Sequence, residues 1–527
     1  MSMQCSKLCS LIIGETFGMP VQSVVDVLLQ KGPSPLRHVL TSMMKSMPIE
    51  AIHGALKTLI QHFVVNFHVN STTGETIYSV NHEKTIEIMR YPRYYAHAEQ
   101  MVGPVGREVL EEIVQSGLVS ISKLIYICGS RVMKSNPDVT EAVLFEQLNL
   151  FQTTAMRLAA KKYIVIVPPP SPDNENNEAD PGAHKDSHKL PAVDLKVLLG
   201  KLLKTNETKL ESLPDANILW GIYIQQFHAE LRNSMVYQAL ERKFKSMIDP
   251  RVIQVVIEVG LERHQWEDEG APVSMHEIKD RIEKMPDGLA TSKHISEHLE
   301  IVEDDPMRIL SRLSNQLGGH FAFNMKTAVS ELLWNIIDKI ITEKHGFHAL
   351  RIFRLVKASG FVEQDTINEI GMVPGKEAKH LTYKLVDDHF INIKEVKKTY
   401  TTNAPPGKTC TVFYVDSSQI VRSLQEYCYK AAYNLKLKSK IEQAKIKRLS
   451  VKEERITRIL VNMTNKNCAE DQLNEIRELL TPPERGLLLR YQFSSGKLLS
   501  GTIQVDETLF VTELYLKYHG KNFPKKK

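Results

Sequence analysis

The side chains with the clearest chemical meaning in this sequence are cations. Between Asn434 and Arg458 stand nine basic residues: Lys436, Lys438, Lys440, Lys445, Lys447, Arg448, Lys452, Arg455 and Arg458. Only Glu442, Glu453 and Glu454 oppose them there. The formal net charge of the whole chain is +5, so this one segment carries the excess and the remainder is close to neutral. Clustered Lys and Arg can track a nucleic-acid backbone with salt-dependent affinity, dock on an acidic protein surface, or form a solvated helix face. A second group, Met89-Arg90-Tyr91-Pro92-Arg93-Tyr94, interleaves arginine with tyrosine. Arg90 and Arg93 can bind phosphates while Tyr94 and its neighbours stack on unpaired bases. The same residues can plug a domain junction, with Pro92 fixing an extended path.

Catalysis has no comparable residue set. Walker A, G-x-G-x-x-G, G-x-S-x-G and H-E-x-x-H patterns are absent, and His82-Glu83 lacks a second histidine at the required spacing. The 19 histidines are scattered without ligand spacing. Cys5 and Cys9 have no second pair to complete a zinc site. The expectation is a chain without catalytic site, metal or cofactor. Six cysteines in 527 residues fit a reducing compartment rather than a disulfide framework. The longest uninterrupted apolar stretches are short, such as Tyr163 to Val167, against the ~18 residues a membrane span needs. The N-terminal residues do not read as a signal peptide.

Elements that position these cations follow from periodicity. A chain of this length suggests about three to four domains. Apolar residues recur at helical spacing through Leu8, Leu11, Ile12, Val24, Val25, Leu28 and Leu29. After Pro48, residues Ile49, Ile52, Leu56, Leu59 and Phe63 share one helix face. Val65, Phe67 and Val69 then alternate with polar residues, and Thr76 to Val80 returns as a strand. Helices followed by a β-hairpin make a winged helix, whose third helix here exposes Glu50, His53, Lys57 and Gln61. Lys57 is the one cation on that face.

The plan recurs. A second copy runs from Arg107 through the long helix Thr140 to Lys161 and the strand Tyr163 to Val167, where its return strand is missing. Pro168 to Pro191 is a Pro-rich, polar linker. A third copy fits Trp220 to Met325. In the fourth, Lys376 to Asp388 is the third helix, bearing Lys376, Lys379 and Lys384 partly offset by Glu377 and Asp387. Phe390 to Val396 and Cys410 to Val415 form its wing across a loop with Pro405, Pro406 and Gly407. Beyond Asp416 the pattern is helical, with Ile420, Leu424, Tyr427, Ala431 and Leu435 spaced as in a coiled-coil seam. Asn462 to Asn467 is a polar turn, and Leu473, Ile476 and Leu480 form a return helix.

The expected architecture is therefore mainly α with small β-hairpins. Four tandem winged helices occupy residues 7–82, 103–167, 218–326 and 330–416. A flexible linker takes 168–191, an antiparallel helical hairpin 418–480, and a C-terminal segment 481–527. The structure of 168–217 and 486–501 is left open.

Several ordered strings are more specific: Met89 to Tyr94, Arg351 to Val356, Met372 to Leu385, Thr481 to Arg485 and Ile503 to Phe510. Together they resemble the third-largest subunit of eukaryotic RNA polymerase III, over Lys7 to about Leu516. That resemblance implies four winged helices and a C-terminal coiled coil. It also implies a nuclear, non-catalytic role in a three-subunit module on the clamp formed by the largest subunit. Such a module works with transcription factor IIIB in promoter recruitment and DNA opening. Promoter DNA, including its single-stranded form, is an implied partner, whereas a membrane is not. Lys445 to Arg448 and the Pro524 to Lys527 tail are candidate nuclear-import signals. The rival readings are a free TFIIE-like transcription factor and a scaffold of proteasome-lid type, which would carry a single winged helix at its end.

Overall fold

A computed structural model describes residues 2–70, 74–135, 140–167, 188–191, 193–203, 215–245, 247–263, 266–285, 294–314, 319–397, 409–465 and 470–520. Most of the expected linker, the Pro405-Pro406-Gly407 loop, Lys466 and Asn467 of the expected polar turn and the Pro524 to Lys527 tail lie outside the described residues; Asn462 to Asn465 of that expected turn are instead helical. The chain divides into two units, Met1–Leu231 and Arg232–Lys527.

The first unit opens with α1 (Met3–Thr16), α2 (Met19–Lys31), β1 (Ser34–Pro35), α3 (Leu36–Met43) and α4 (Ile49–Gln61). The hairpin of β2 (Val65–Val69) and β3 (Thr76–Val80) follows, and β1 pairs with β3 to give the order β1-β3-β2. Spacing by three and four puts Ile52, Ala55, Leu56 and Leu59 of α4 into one core with Val24, Val25, Leu28 and Val39. Burial of each large aliphatic side chain there contributes about 1.5–3 kcal/mol. Gly74, at φ 67, takes the wing through a turn where an L side chain would be strained.

A second domain follows. After α5 (His82–Glu87), helices α6 (Tyr91–Val102), α7 (Pro104–Ser116), α8 (Ile121–Ser135) and α9 (Glu141–Ala160) lead into β4 (Ile164–Val167). Its return strand is present. β5 (Leu219–Ile222) pairs antiparallel with β4, Ile164 opposite Ile222. Val119, just before α8, bridges to Trp220 through backbone hydrogen bonds of 2.9 and 3.1 Å. Residues 219–222 thus complete the second wing instead of opening the third domain, which corrects the boundary expected at 218. The reason is physical: a four-residue strand carries little periodicity, and its partner lies about fifty residues upstream. Within that excursion, α10 (Leu195–Leu203) sends Leu198, Leu199 and Leu202 into the domain core.

The second unit starts inside α11 (Ile224–Phe244). It continues with α12 (Pro250–Arg263), β6 (Val273–Ser274), α13 (Met275–Glu283), α14 (Ile295–Glu303), β7 (Leu310–Ser314) and β8 (His320–Phe323), in the sheet order β6-β8-β7. A further copy comprises α15 (Met325–His345), α16 (Phe347–Ser359), β9 (Val362–Glu363), α17 (Gln364–Gly371), α18 (Gly375–Asp387), β10 (Asn392–Lys397) and β11 (Thr409–Tyr414), in the order β9-β11-β10. In all four copies a short strand or bridge ahead of the second helix pairs with the last strand, which lies in the middle of the sheet.

The C-terminal region is α19 (Ser417–Asn465), α20 (Glu470–Glu478) and α21 (Pro482–His519). α19 and α21 run antiparallel: Lys452 meets Glu484, and Leu435 approaches Gly501. The return arm is therefore α21 and not the Leu473 to Leu480 segment, because α20 buries none of its side chains. Gly486 to Gly501 lies wholly inside α21. Interior glycines each cost about 1 kcal/mol of helix propensity relative to alanine. Packing offsets that cost, since Leu488, Leu509, Phe510, Val511 and Leu514 are buried along the same helix. A capping box between Thr481 and Glu484, with Pro482 in the first turn, fixes where the helix starts.

Candidate nucleic-acid and docking surfaces

In a winged helix, the third helix is the element that can enter a major groove. The four copies use α4, α9, α14 and α18 in this position, and their charges differ. α4 turns its apolar face inward and leaves Glu50, His53 and Lys57 exposed. One acid cancels one lysine there. α9 carries Glu141 and Glu146 against Arg157. α14, ISEHLEIVE, has three glutamates and neither lysine nor arginine, so it would repel phosphate. In α18, Ala378, Leu381, Thr382 and Leu385 are buried, which rotates Lys376, Lys379, His380, Tyr383 and Lys384 to the outside. Lys376, Lys379 and Lys384 form no ion pair among the described residues. Glu377 and Asp387 are the acids of that helix. Of the four third helices, α18 is the one with an excess of cations.

The Met89 to Tyr94 group folds differently from the extended path expected for it. Pro92 sits in the first turn of α6, where a missing N–H costs nothing, and the helix runs on to Val102. Arg90 is 1% exposed and Tyr94 0%. The Tyr94 hydroxyl is 2.8 Å from Nε2 of His228, and its ring stacks on Phe227 with centroids 4.9 Å apart. Tyr163 stacks on Phe227 as well, at 4.7 Å. Burial pushes the phenol pKa of Tyr91 upward, with Glu87 adding to the shift. These rings are core of the second domain, so Arg90 and Tyr94 present nothing to a base or phosphate. Arg93 is half-buried.

On α19 the basic run is largely at the surface, with Lys438, Lys440, Lys445, Lys447, Arg448, Arg455 and Arg458 exposed and Lys436 and Lys452 half-buried. Part of its charge is already used. Lys438 and Lys445 both bind Glu442, at 2.7 and 3.0 Å, and these bonds hold the Glu442 carboxyl below its usual range. Lys452 binds Glu484 at 2.7 Å and ties the hairpin arms together. Its hydrogen bond, with that from the Thr481 backbone, lowers the Glu484 pKa. Lys440, Lys447, Arg448 and Arg455 form no ion pair among the described residues. Lys447, Arg448, Lys452 and Arg455 line a groove of about 700 Å³ together with Val451, Ile456 and Leu479. This groove is not legible in the sequence, because Leu479, just past α20, is distant in sequence from Lys447 to Ile456 and meets them only in space. No group of three or more His, Cys, Asp or Glu among the described residues could hold a metal ion.

Four winged helices in series, followed by an antiparallel helical hairpin, define a multi-winged-helix protein. Comparisons with known proteins narrow this class. Residues 7–70 match the helix-turn-helix domain of RNA polymerase III subunit RPC82, and residues 153–332 match RNA polymerase III subunit RPC82. Residues 337–415 match the POLR3C C-terminal winged-helix domain, and residues 448–511 the helical hairpin domain of DNA-directed RNA polymerase III subunit RPC3. The chain is 28% identical over 534 residues to DNA-directed RNA polymerase III subunit RPC3 of Mus musculus, covering 97% of this chain and 98% of the relative. The Homo sapiens subunit is 26% identical over 535 residues, with the same coverage. That of Danio rerio is 26% identical over 544 residues, covering 98% and 99%. The chain belongs to the RPC3/RPC82 family of RNA polymerase III subunits.

Proposed function

We propose that this chain is a non-catalytic subunit of nuclear RNA polymerase III. It forms a heterotrimeric module with two other subunits on the clamp of the largest subunit, and acts with transcription factor IIIB in recruiting and opening promoter DNA for small untranslated RNA genes. The observation that carries the reading is end-to-end similarity to RPC3 subunits over 97% of the chain. Fold alone would not license it, since winged helices host many functions. Within this reading α18 is the DNA-facing helix, by virtue of its exposed Lys376, Lys379 and Lys384.

Similarity along nearly the whole of polymerase subunits disfavours a free TFIIE-like factor. Four small antiparallel sheets, one in each winged helix, disfavour a proteasome-lid type of scaffold. The experiment is affinity purification of the tagged full chain from nuclear extract with washes of rising salt, read by mass spectrometry. The expected result is recovery of the large RNA polymerase III subunits, with two smaller partners retained after those are lost. Recovery without any polymerase subunit overturns the reading.

A further inference from the structure

The groove beside α20 combines a cationic rim with an apolar lining. Its rim carries Lys447, Arg448, Lys452 and Arg455, and its apolar lining is Val451, Ile456 and Leu479. Val451 is 40% exposed and Leu479 56% exposed, so aliphatic side chains sit open to water between cations. Three of the four cations form no ion pair among the described residues; Lys452 alone is held, by Glu484.

A nucleic acid would make poor use of this surface. Single strands bind through aromatic platforms on which bases stack, and the lining contains no aromatic residue. Phosphates need the cations but leave the aliphatic floor uncovered. A small polyanion has the same defect. A peptide with acidic and aliphatic residues satisfies both halves: carboxylates on the Lys and Arg rim, and Leu- or Ile-like side chains on Val451, Ile456 and Leu479. From Lys447 to Ile456 the helix rises about 14 Å, enough for two to three turns of a docked amphipathic helix.

We propose that this groove is the docking site for an acidic amphipathic segment of a partner protein, with aliphatic residues at helical spacing between its carboxylates. The charge of the groove selects the partner, and its apolar floor distinguishes that partner from a simple polyanion. This goes beyond the polymerase assignment and does not depend on α18 touching DNA.

The test uses the full chain. A phage-displayed library of random 16-residue peptides is selected on it, and the most enriched peptide is synthesised and measured by fluorescence anisotropy. The expected consensus is rich in Asp and Glu, with Leu or Ile three or four positions apart. Affinity should fall at least tenfold in Arg448→Glu/Arg455→Glu and at least fivefold in Val451→Asp/Leu479→Asp, at unchanged thermal melting. An all-glutamate peptide of equal charge should bind at least tenfold more weakly than the selected one. The proposal is overturned if selection gives no such consensus, or if the selected peptide is insensitive to both double variants. It is equally overturned if a 16-nucleotide oligothymidylate binds the groove more tightly and loses that binding in both double variants.

Discussion

Tyr518, near the end of α21, accepts a 2.7 Å hydrogen bond from Nη1 of Arg232 in α11. The two residues are 286 positions apart, and both are buried, with Arg232 at 0% exposure. The indole of Trp266 has the Lys517 ammonium 3.3 Å and the Arg232 guanidinium 4.8 Å from its ring. Burial pulls the Arg232 pKa down and pushes the Tyr518 phenol up. The pair therefore couples the first and last helices of the second unit through a desolvated cation.

Removing only the hydroxyl isolates that bond. Tyr518→Phe should keep the ring packing and lower the stability of the second unit by about 1.5–3 kcal/mol, the range for a hydrogen bond to a charged group. Urea denaturation followed by near-ultraviolet circular dichroism reads this as a lower midpoint. An unmoved midpoint would mean that Arg232 is held adequately by its other partners.

A second polar cluster gives the first unit a dependence on acid. Glu230 accepts hydrogen bonds from Tyr163 and Gln226, each at 2.8 Å, and pairs with His97. Burial raises its pKa, but the bonds from His97, Gln226 and Tyr163 outweigh that and leave the carboxyl below its ordinary 4.5. The sign follows from linkage: a depressed carboxylate adds stability that is complete above its unfolded pKa and lost as pH falls through the folded value. Thermal melts should therefore weaken below about pH 5, and Glu230→Gln should flatten that decline while lowering stability at neutral pH. Parallel slopes in the two proteins would contradict the assignment.

The pairing of β4 with β5 makes Trp220 a core residue of the second domain, at 0% exposure. Trp220→Ala should cost about 3–5 kcal/mol and expose amides of β4 and α8 to hydrogen exchange. Trp220→Phe should cost less. Loss of protection confined to the domain formed by α12 to α14 would instead assign β5 to that domain.

DNA binding should separate the two basic surfaces. Each phosphate interaction removed lowers the slope of log affinity against log salt by about 0.9 on duplex DNA. Lys376→Ala/Lys379→Ala/Lys384→Ala should reduce the slope of the full chain by roughly two to three. Lys440→Ala/Lys447→Ala/Arg448→Ala should leave it nearly unchanged. The reverse pattern would move the DNA-facing surface to the hairpin.

The regular elements were readable from the sequence wherever periodicity was strong. Ile52, Leu56 and Leu59 mark the inner face of α4, and Ala378, Leu381 and Leu385 mark that of α18. The outward residues of α18 are those expected, whereas at α4 Ile49 and Phe63, placed on the inner face by spacing, are exposed and Gln61 is half-buried against Ser116. What failed was information held at long range. β5 is too short to signal its partner, and α21 hides its helical character behind Gly486, Gly496 and Gly501. Arg90 and Tyr94 have the composition of a nucleic-acid site, yet both are buried, with Phe227 stacked between the rings of Tyr94 and Tyr163. Charge runs proved legible as surface, yet not as pairs: only the geometry shows Glu442 occupied by Lys438 and Lys445 while Lys447, Arg448 and Arg455 remain available.

The split wing between β4 and β5 also sets an order of assembly on the ribosome. The second domain cannot close until residue 222 has emerged, although the helices ahead of β4 are complete by residue 160. Closing a loop of about fifty residues instead of about five costs roughly 2 kcal/mol more in chain entropy. α10, docking Leu198 and Leu202 ahead of the last strand, shortens the stretch left to close. In a nascent chain β4 thus waits without its partner strand until residues 219–222 have emerged, while α10 packs on α8 and α9.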